Sequence, residues 1–179
     1  YLCYAAARLC AFRNVWWSIA NEYDFMLDSK PMSRWDEFFW TLHDVDPYIH
    51  PNSIHNGNPS KAYNHSLYLI THVSMQESNI RQAQVWRERY GKPIINDELQ
   101  YEGNIPKQWG NISGCELVHR IWWMVVNGCY ASHGETFLHP DDILWWAKGG
   151  VLHGESPARI AFLRCIIEED VEVGLTPFG

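Results

Sequence analysis

The sequence has 179 residues, 46% apolar and 20% charged, a balance that suits one globular domain, residues 1–179, with a sizeable core. A formal net charge of −7 and nine scattered histidines leave no basic surface of the kind that nucleic-acid affinity rests on. No run of about 18 apolar residues is present, so no membrane-spanning helix is expected.

Residues 2–13 read as a helix, with Ala5, Ala6, Leu9 and Phe12 on one face. After Asn14 comes VWWSIA (15–20), an apolar run of the kind that forms a strand buried on both faces. Trp35, Phe38, Phe39, Leu42 and Val45 then recur at helical spacing over 34–46. A Pro/Gly/Asn-rich stretch, 50–60, holds a brief strand near Ser53–His55, a poorly marked helix lies near 58–66, and LYLITHV (67–73) reads as the next strand. Ser74 and Glu77 have the spacing of a capping box, opening a helix that Gly91 closes. IIN (94–96) is a further strand, reached through Lys92-Pro93. Ser113 and Glu116 form a second capping box before a helix ending at Gly128, CYASH (129–133) is the last strand, and Ser156-Pro157 opens the last helix, to about Glu168.

Strands without polar alternation, joined by amphipathic helices, predict an α/β fold with a covered parallel sheet. No glycine-rich phosphate fingerprint follows a strand, which favours a (β/α)8 TIM barrel over a dinucleotide-binding fold. Five strand–helix units are fewer than eight, so the expectation is a part of a barrel with two open sheet edges. Its partner is then either the missing N-terminal half or a second copy of the chain. The chain opens in mid-helix without a Met, consistent with a partial view of a longer polypeptide.

The cysteines at 3, 10, 115, 129 and 165 have neither CxxC nor zinc-finger spacing, and read as reduced core residues that favour a cytoplasmic setting. Ten tryptophans, against about two at average usage, serve equally well as core filler or as platforms for sugar rings.

Barrel active sites lie at the C-terminal ends of strands. The expected strand ends carry Asn21-Glu22, His55-Asn56, His72, Asp97-Glu98 and His133-Gly134-Glu135, polar groups directly after apolar runs. Glu22 and Glu98 form the sharpest pair, because glycoside hydrolysis needs one acid to protonate the leaving oxygen and one carboxylate to attack or to activate water. The same glutamates taken singly would serve as caps or ion-pair partners. Adjacent tryptophans in a strand or helix point apart, so at most one of a pair faces a given pocket; Trp145 and Trp146, in the loop after the last strand, are candidate sugar platforms, and Tyr101 and Trp109, after Glu98, are similar candidates.

WWSIANEYD resembles the acid/base motif of clan A retaining glycosidases, and KPIINDELQYEG resembles the strand that carries their nucleophile. GCYASHGETF and WWAKGGVLHGESPARIAFLR resemble the apiosidase-like branch of glycosidases and endoglucanases. The resemblance implies that these strands are four to eight of the barrel, with Glu22 as acid/base, Glu98 as nucleophile and Asn21 on the sugar 2-hydroxyl. A carbohydrate substrate and no cofactor or metal are implied. Clan A members carry an aromatic residue at the end of strand eight, where this chain has His133 and Glu135, and His55, His72, His133 and Glu135 are assigned to sugar hydroxyls and to orienting the carboxylates. Two other readings stand beside this one. A carbohydrate-binding barrel without catalysis would not need both glutamates. A metal-dependent hydrolase would use the three strand-end histidines, but no HxH pair occurs.

Overall fold

A computed structural model describes residues 1–138, 140, 151–169 and 176. In chain order it runs α1 (Leu2–Leu9), β1 (Trp17–Ser18), a 3₁₀ turn (Tyr23–Met26), α2 (Met32–Val45), β2 (Asn52–Ser53), a second 3₁₀ turn (Pro59–Lys61) and β3 (Val73–Met75). It continues with α3 (Gln82–Tyr90), β4 (Ile94–Asn96), β5 (Glu102–Gly103), a third 3₁₀ turn (Gln108–Gly110), α4 (Gly114–Val126), β6 (Tyr130–Ala131), β7 (Glu135–Thr136) and α5 (Ser156–Glu169). The pairs β1–β2, β4–β6 and β5–β7 are all parallel, as strands separated by helices require. None of the described helices is long and apolar enough to cross a membrane.

The chain divides into two compact units, Tyr1–Gln76 with Trp86–Ile94, and Glu77–Val85 with Ile95–Gly179. In the first, α1 packs on α2, whose Trp35, Phe39 and Leu42 recur at helical spacing on a buried face. Trp35 and Phe39 share a core with Tyr23, Ile54 and Tyr63. The Tyr23 ring meets Trp35 and Tyr63 edge to face, at 5.9 and 5.4 Å, the arrangement that aromatic quadrupoles favour. In the second unit α4 packs on α5, and Leu99, Leu117, Ile121 and Leu163 form the core.

Several elements sit elsewhere than the sequence suggests. The first helix stops at Leu9 rather than near residue 13, because the chain turns there through i→i+3 bonds such as Phe12 N–H to Leu9 O. The helix near 58–66 is only the turn Pro59–Lys61, with the Asn58 side chain accepting from Ser60 N–H. The third strand is Val73–Met75, not 67–73, and α3 begins at Gln82, so Ser74 is a strand residue and no N-cap. Ser113 does cap α4, accepting from Glu116 N–H at 3.2 Å, while the Glu116 carboxylate turns to Arg120 instead of closing the box. The cysteines are not core residues as a group: Cys129 is buried, but Cys3, Cys115 and Cys165 are exposed.

Candidate active site

Glu22 follows β1 and lies in the left-handed region, φ 46° and ψ 49°, which a non-glycine residue rarely occupies. Such strain costs about 1–3 kcal/mol and persists where the surroundings enforce it. Here the enforcement is visible. The ladder bond His55 N–H to Ala20 O holds the chain before the kink, and Tyr23 N–H to His55 O holds it after. Tyr23 is buried in the core, and desolvation, helped by the neighbouring Asp24 charge, pushes its phenol up to about 12. Two residues, Asn21 and Glu22, are thus extruded together beyond β1 beside His55; Asn21 is exposed and Glu22 half-buried. Asp24 accepts Gly57 N–H and Asn58 N–H at 2.6 and 3.0 Å and draws the loop after β2 against the kink. A side chain at position 57 would lie 3.2 Å from Glu22 Cβ and only 2.6 Å from the Phe25 ring, so glycine there permits the approach.

The same strand ends hold two residues that the sequence left without a role. Asn56, 1% exposed, follows β2, and Gln76 follows β3; among the described residues neither Asn56 Oδ1 nor Gln76 Oε1, both buried, has a hydrogen-bond partner. The signal for Gln76 was the placement of the third strand, since with Val73–Met75 as the strand Gln76 becomes its C-terminal end.

That shift moves His72 to the other end of β3, away from strand-end chemistry. Its Nδ1 lies 3.0 Å from Thr71 Oγ1 and its ring 5.2 Å from Trp16, and burial drives its pKa down to about 4, a neutral packed imidazole.

In the second unit Glu98 follows β4, half-buried, and Leu99 anchors it in the core as Tyr23 anchors Glu22. Asn96 holds the strand end in place, its amide accepting Glu77 N–H at 3.3 Å and donating to Glu77 O at 2.8 Å. Ser132, after β6, donates through its hydroxyl to Asp97 O, next to Glu98. Gln100 also has a positive φ, 96°. Tyr101 packs so closely on the backbone of Gly134 that a Cβ there would lie 2.1 Å from the ring, and Trp109 meets Tyr101 edge-on at 6.0 Å. Trp145 and Trp146 lie outside the described residues.

Residues 1–151 match the apiosidase-like catalytic domain. The chain belongs to that family. A crystal structure of a "putative glycoside hydrolase" from Bacteroides vulgatus ATCC 8482 is similar, with a TM-score of 0.88 at 39% identity over 94% of this chain. The match covers 33% of that protein, so the chain spans about a third of its length. No curated protein matches.

In this apiosidase-like domain His133 and Glu135 have a task that the sequence did not reveal. Register places Glu135 opposite Glu102, and His133 lies within 4.8 Å of both carboxylates. Two buried carboxylates side by side repel unless donors surround them. Glu102 accepts from Glu155 N–H, Ser156 N–H and the Ser156 hydroxyl, and Glu135 from His153 N–H and Gly154 N–H. Apart from the Ser156 hydroxyl, these are backbone donors at and just before the start of α5, where a helix leaves N–H groups unpaired and favours negative charge. Burial alone would raise the Glu102 pKa, but the Ser156 hydroxyl, the two N–H groups and His133 together bring it below its ordinary value. All four carboxylate oxygens are engaged in holding residues 153–156, so this Glu–His–Glu group has the form of a latch.

Proposed function

We propose that the chain carries the catalytic glutamates of a retaining glycoside hydrolase, supplying strands four to eight of a (β/α)8 barrel. The observation that carries this reading is Glu22 itself: a half-buried carboxylate held in a strained conformation at a strand's C-terminal end, in a chain of the apiosidase-like family. Glu22 is the acid/base. It protonates the glycosidic oxygen as the leaving group departs and then deprotonates the incoming water. Glu98 is the nucleophile, attacking the anomeric carbon to form a glycosyl ester that water hydrolyses in the second step. Asn21 and His55 are the polar groups offered to sugar hydroxyls from the first unit, and Tyr101 and Trp109 are platforms for ring faces from the second. The substrate is an O-glycoside of a plant-type or other polysaccharide or oligosaccharide, the family label pointing to apiosides.

The test is chemical rescue. Glu98→Ala should abolish turnover of an activated aryl glycoside, a loss of about 10⁴-fold or more. Azide should restore part of it, giving a glycosyl azide of inverted anomeric configuration. A folded variant that yields no such product in azide would remove Glu98 from the nucleophile's role.

A further inference from the structure

An exposed phenylalanine needs no explanation by itself, since single apolar residues are common on protein surfaces. Phe25 differs in where it stands and in how firmly it is held. It lies in the 3₁₀ turn that follows Glu22, and its N–H donates to Glu22 O at 3.1 Å. The backbone kink that extrudes Glu22 therefore also sets Phe25. Tyr23, in the same turn, is sunk in the aromatic core at 2% exposure, whereas Phe25 takes no part in that core and is 66% exposed.

From the other side the loop after β2 is drawn against the ring. Asp24 holds it through Gly57 N–H and Asn58 N–H, and position 57 carries no side chain. A Cβ there would lie 2.6 Å from Phe25 Cζ, 2.7 Å from Phe25 Cε2 and 3.2 Å from Glu22 Cβ. The tip of the ring and the root of the Glu22 side chain are thus neighbours across a single glycine, and a larger residue at 57 would displace the ring. One edge of the ring rests on this backbone, and most of its surface is open. An aromatic surface fixed in this way loses little conformational freedom when a ligand covers it.

What covers it follows from Glu22. A general acid must come within hydrogen-bond reach of the oxygen it protonates, and in a glycoside that oxygen joins the sugar to its leaving group. The leaving group, which departs with this oxygen, therefore lies beside the acid. A phenyl ring offers no hydrogen bond of the ordinary kind, so it selects a group with an apolar ring face. We propose that Phe25 is the platform for the leaving group of the glycoside, holding the ring attached to the oxygen that Glu22 protonates. Phe25 thereby helps to determine which leaving groups the protein accepts, a role that rests on Glu22 being the acid/base.

Initial-rate kinetics on the whole protein test this with two apiosides whose leaving groups depart without a proton from Glu22. One is 2,4-dinitrophenyl β-D-apiofuranoside, whose leaving group is a ring; the other is β-D-apiofuranosyl fluoride, whose leaving group has none. Phe25→Ala should lower kcat/KM on the dinitrophenyl glycoside about tenfold, mainly through KM, as truncation of an aromatic anchor does. On the fluoride it should change kcat/KM by less than about twofold. Phe25→Tyr keeps the ring and should stay within about twofold of the wild type on both substrates. Equal losses on both substrates would mean that the ring only supports Glu22 or the fold, and no loss on either that it touches no substrate. Each of these overturns the platform while leaving Glu22 and Glu98 as a catalytic pair. A wild-type protein that turns over neither apioside would instead remove the catalytic reading, and the platform with it.

Discussion

Glu22 shows how little of a side chain's role needs to reside in the residue itself. Its position is set by neighbours: Tyr23 sunk in an aromatic core, two ladder bonds to His55, and a glycine where any side chain would collide. On the proposed reading Glu22 is a general acid, and a general acid matters mostly for leaving groups that need a proton. Glu22→Ala should therefore cut kcat by about 10²–10⁴-fold on a natural glycoside, but far less on a dinitrophenyl glycoside, whose phenolate departs unaided. Equal losses on both substrates, measured by steady-state kinetics, would show that Glu22 serves binding or folding instead. The motif Asn21-Glu22 was legible because a carboxylate directly after an apolar run is costly without a task. Asn56 and Gln76 were less so, since a neutral amide after a strand looks like any loop residue until its oxygen is found buried, with no partner among the described residues.

Among elements, α2 and α4 followed their apolar periodicity, while α1, α3 and several strands were placed less accurately. The Ser74–Glu77 spacing is that of a capping box, yet Ser74 N–H bonds to Ser53 Oγ within a buried strand, and Asn96 grips Glu77 from both sides of its peptide unit. These tertiary bonds keep the chain extended and postpone α3 to Gln82; no local pattern contains them. The same blindness hid the pairing of β5 with β7, two-residue strands in a segment that reads as loop. That pairing brings Glu102 and Glu135 together and fastens α5. Glu102→Gln removes the charge and turns an amide N–H₂ toward donors. It should cost about 1–3 kcal/mol in urea unfolding, the penalty for buried donors left unpaired. A change within about 0.5 kcal/mol would mean that α5 does not depend on the latch.

For the chain as a whole, the buried ionisable groups point to acid sensitivity. Desolvation lowers His65 to about 3 and His72 to about 4, against an ordinary value near 6.5. Between these values the unfolded chain binds protons that the folded one refuses, so stability is full above about pH 6.5 and falls on acidification from there. Asp46 adds to this at lower pH: burial opposes its ionisation, but hydrogen bonds from His50, Tyr48 and Trp17 outweigh it, and its pKa lies below the ordinary value. Glu102, also lowered, acts in the same direction as pH drops below about 4. Thermal unfolding should show a midpoint lower by more than about 5 °C at pH 5 than at pH 7.5, and His72→Phe should flatten the slope. A midpoint unchanged between these values would contradict the buried neutral histidines.

The central claim is that Glu22 and Glu98 act as one retaining pair, and the separation of their carboxyl groups tests it most directly. A crystal structure of the protein with both strand ends ordered should place them about 5–5.5 Å apart. A separation of about 6.5–9.5 Å would indicate an inverting enzyme, and carboxyls farther apart than that would contradict a shared catalytic role.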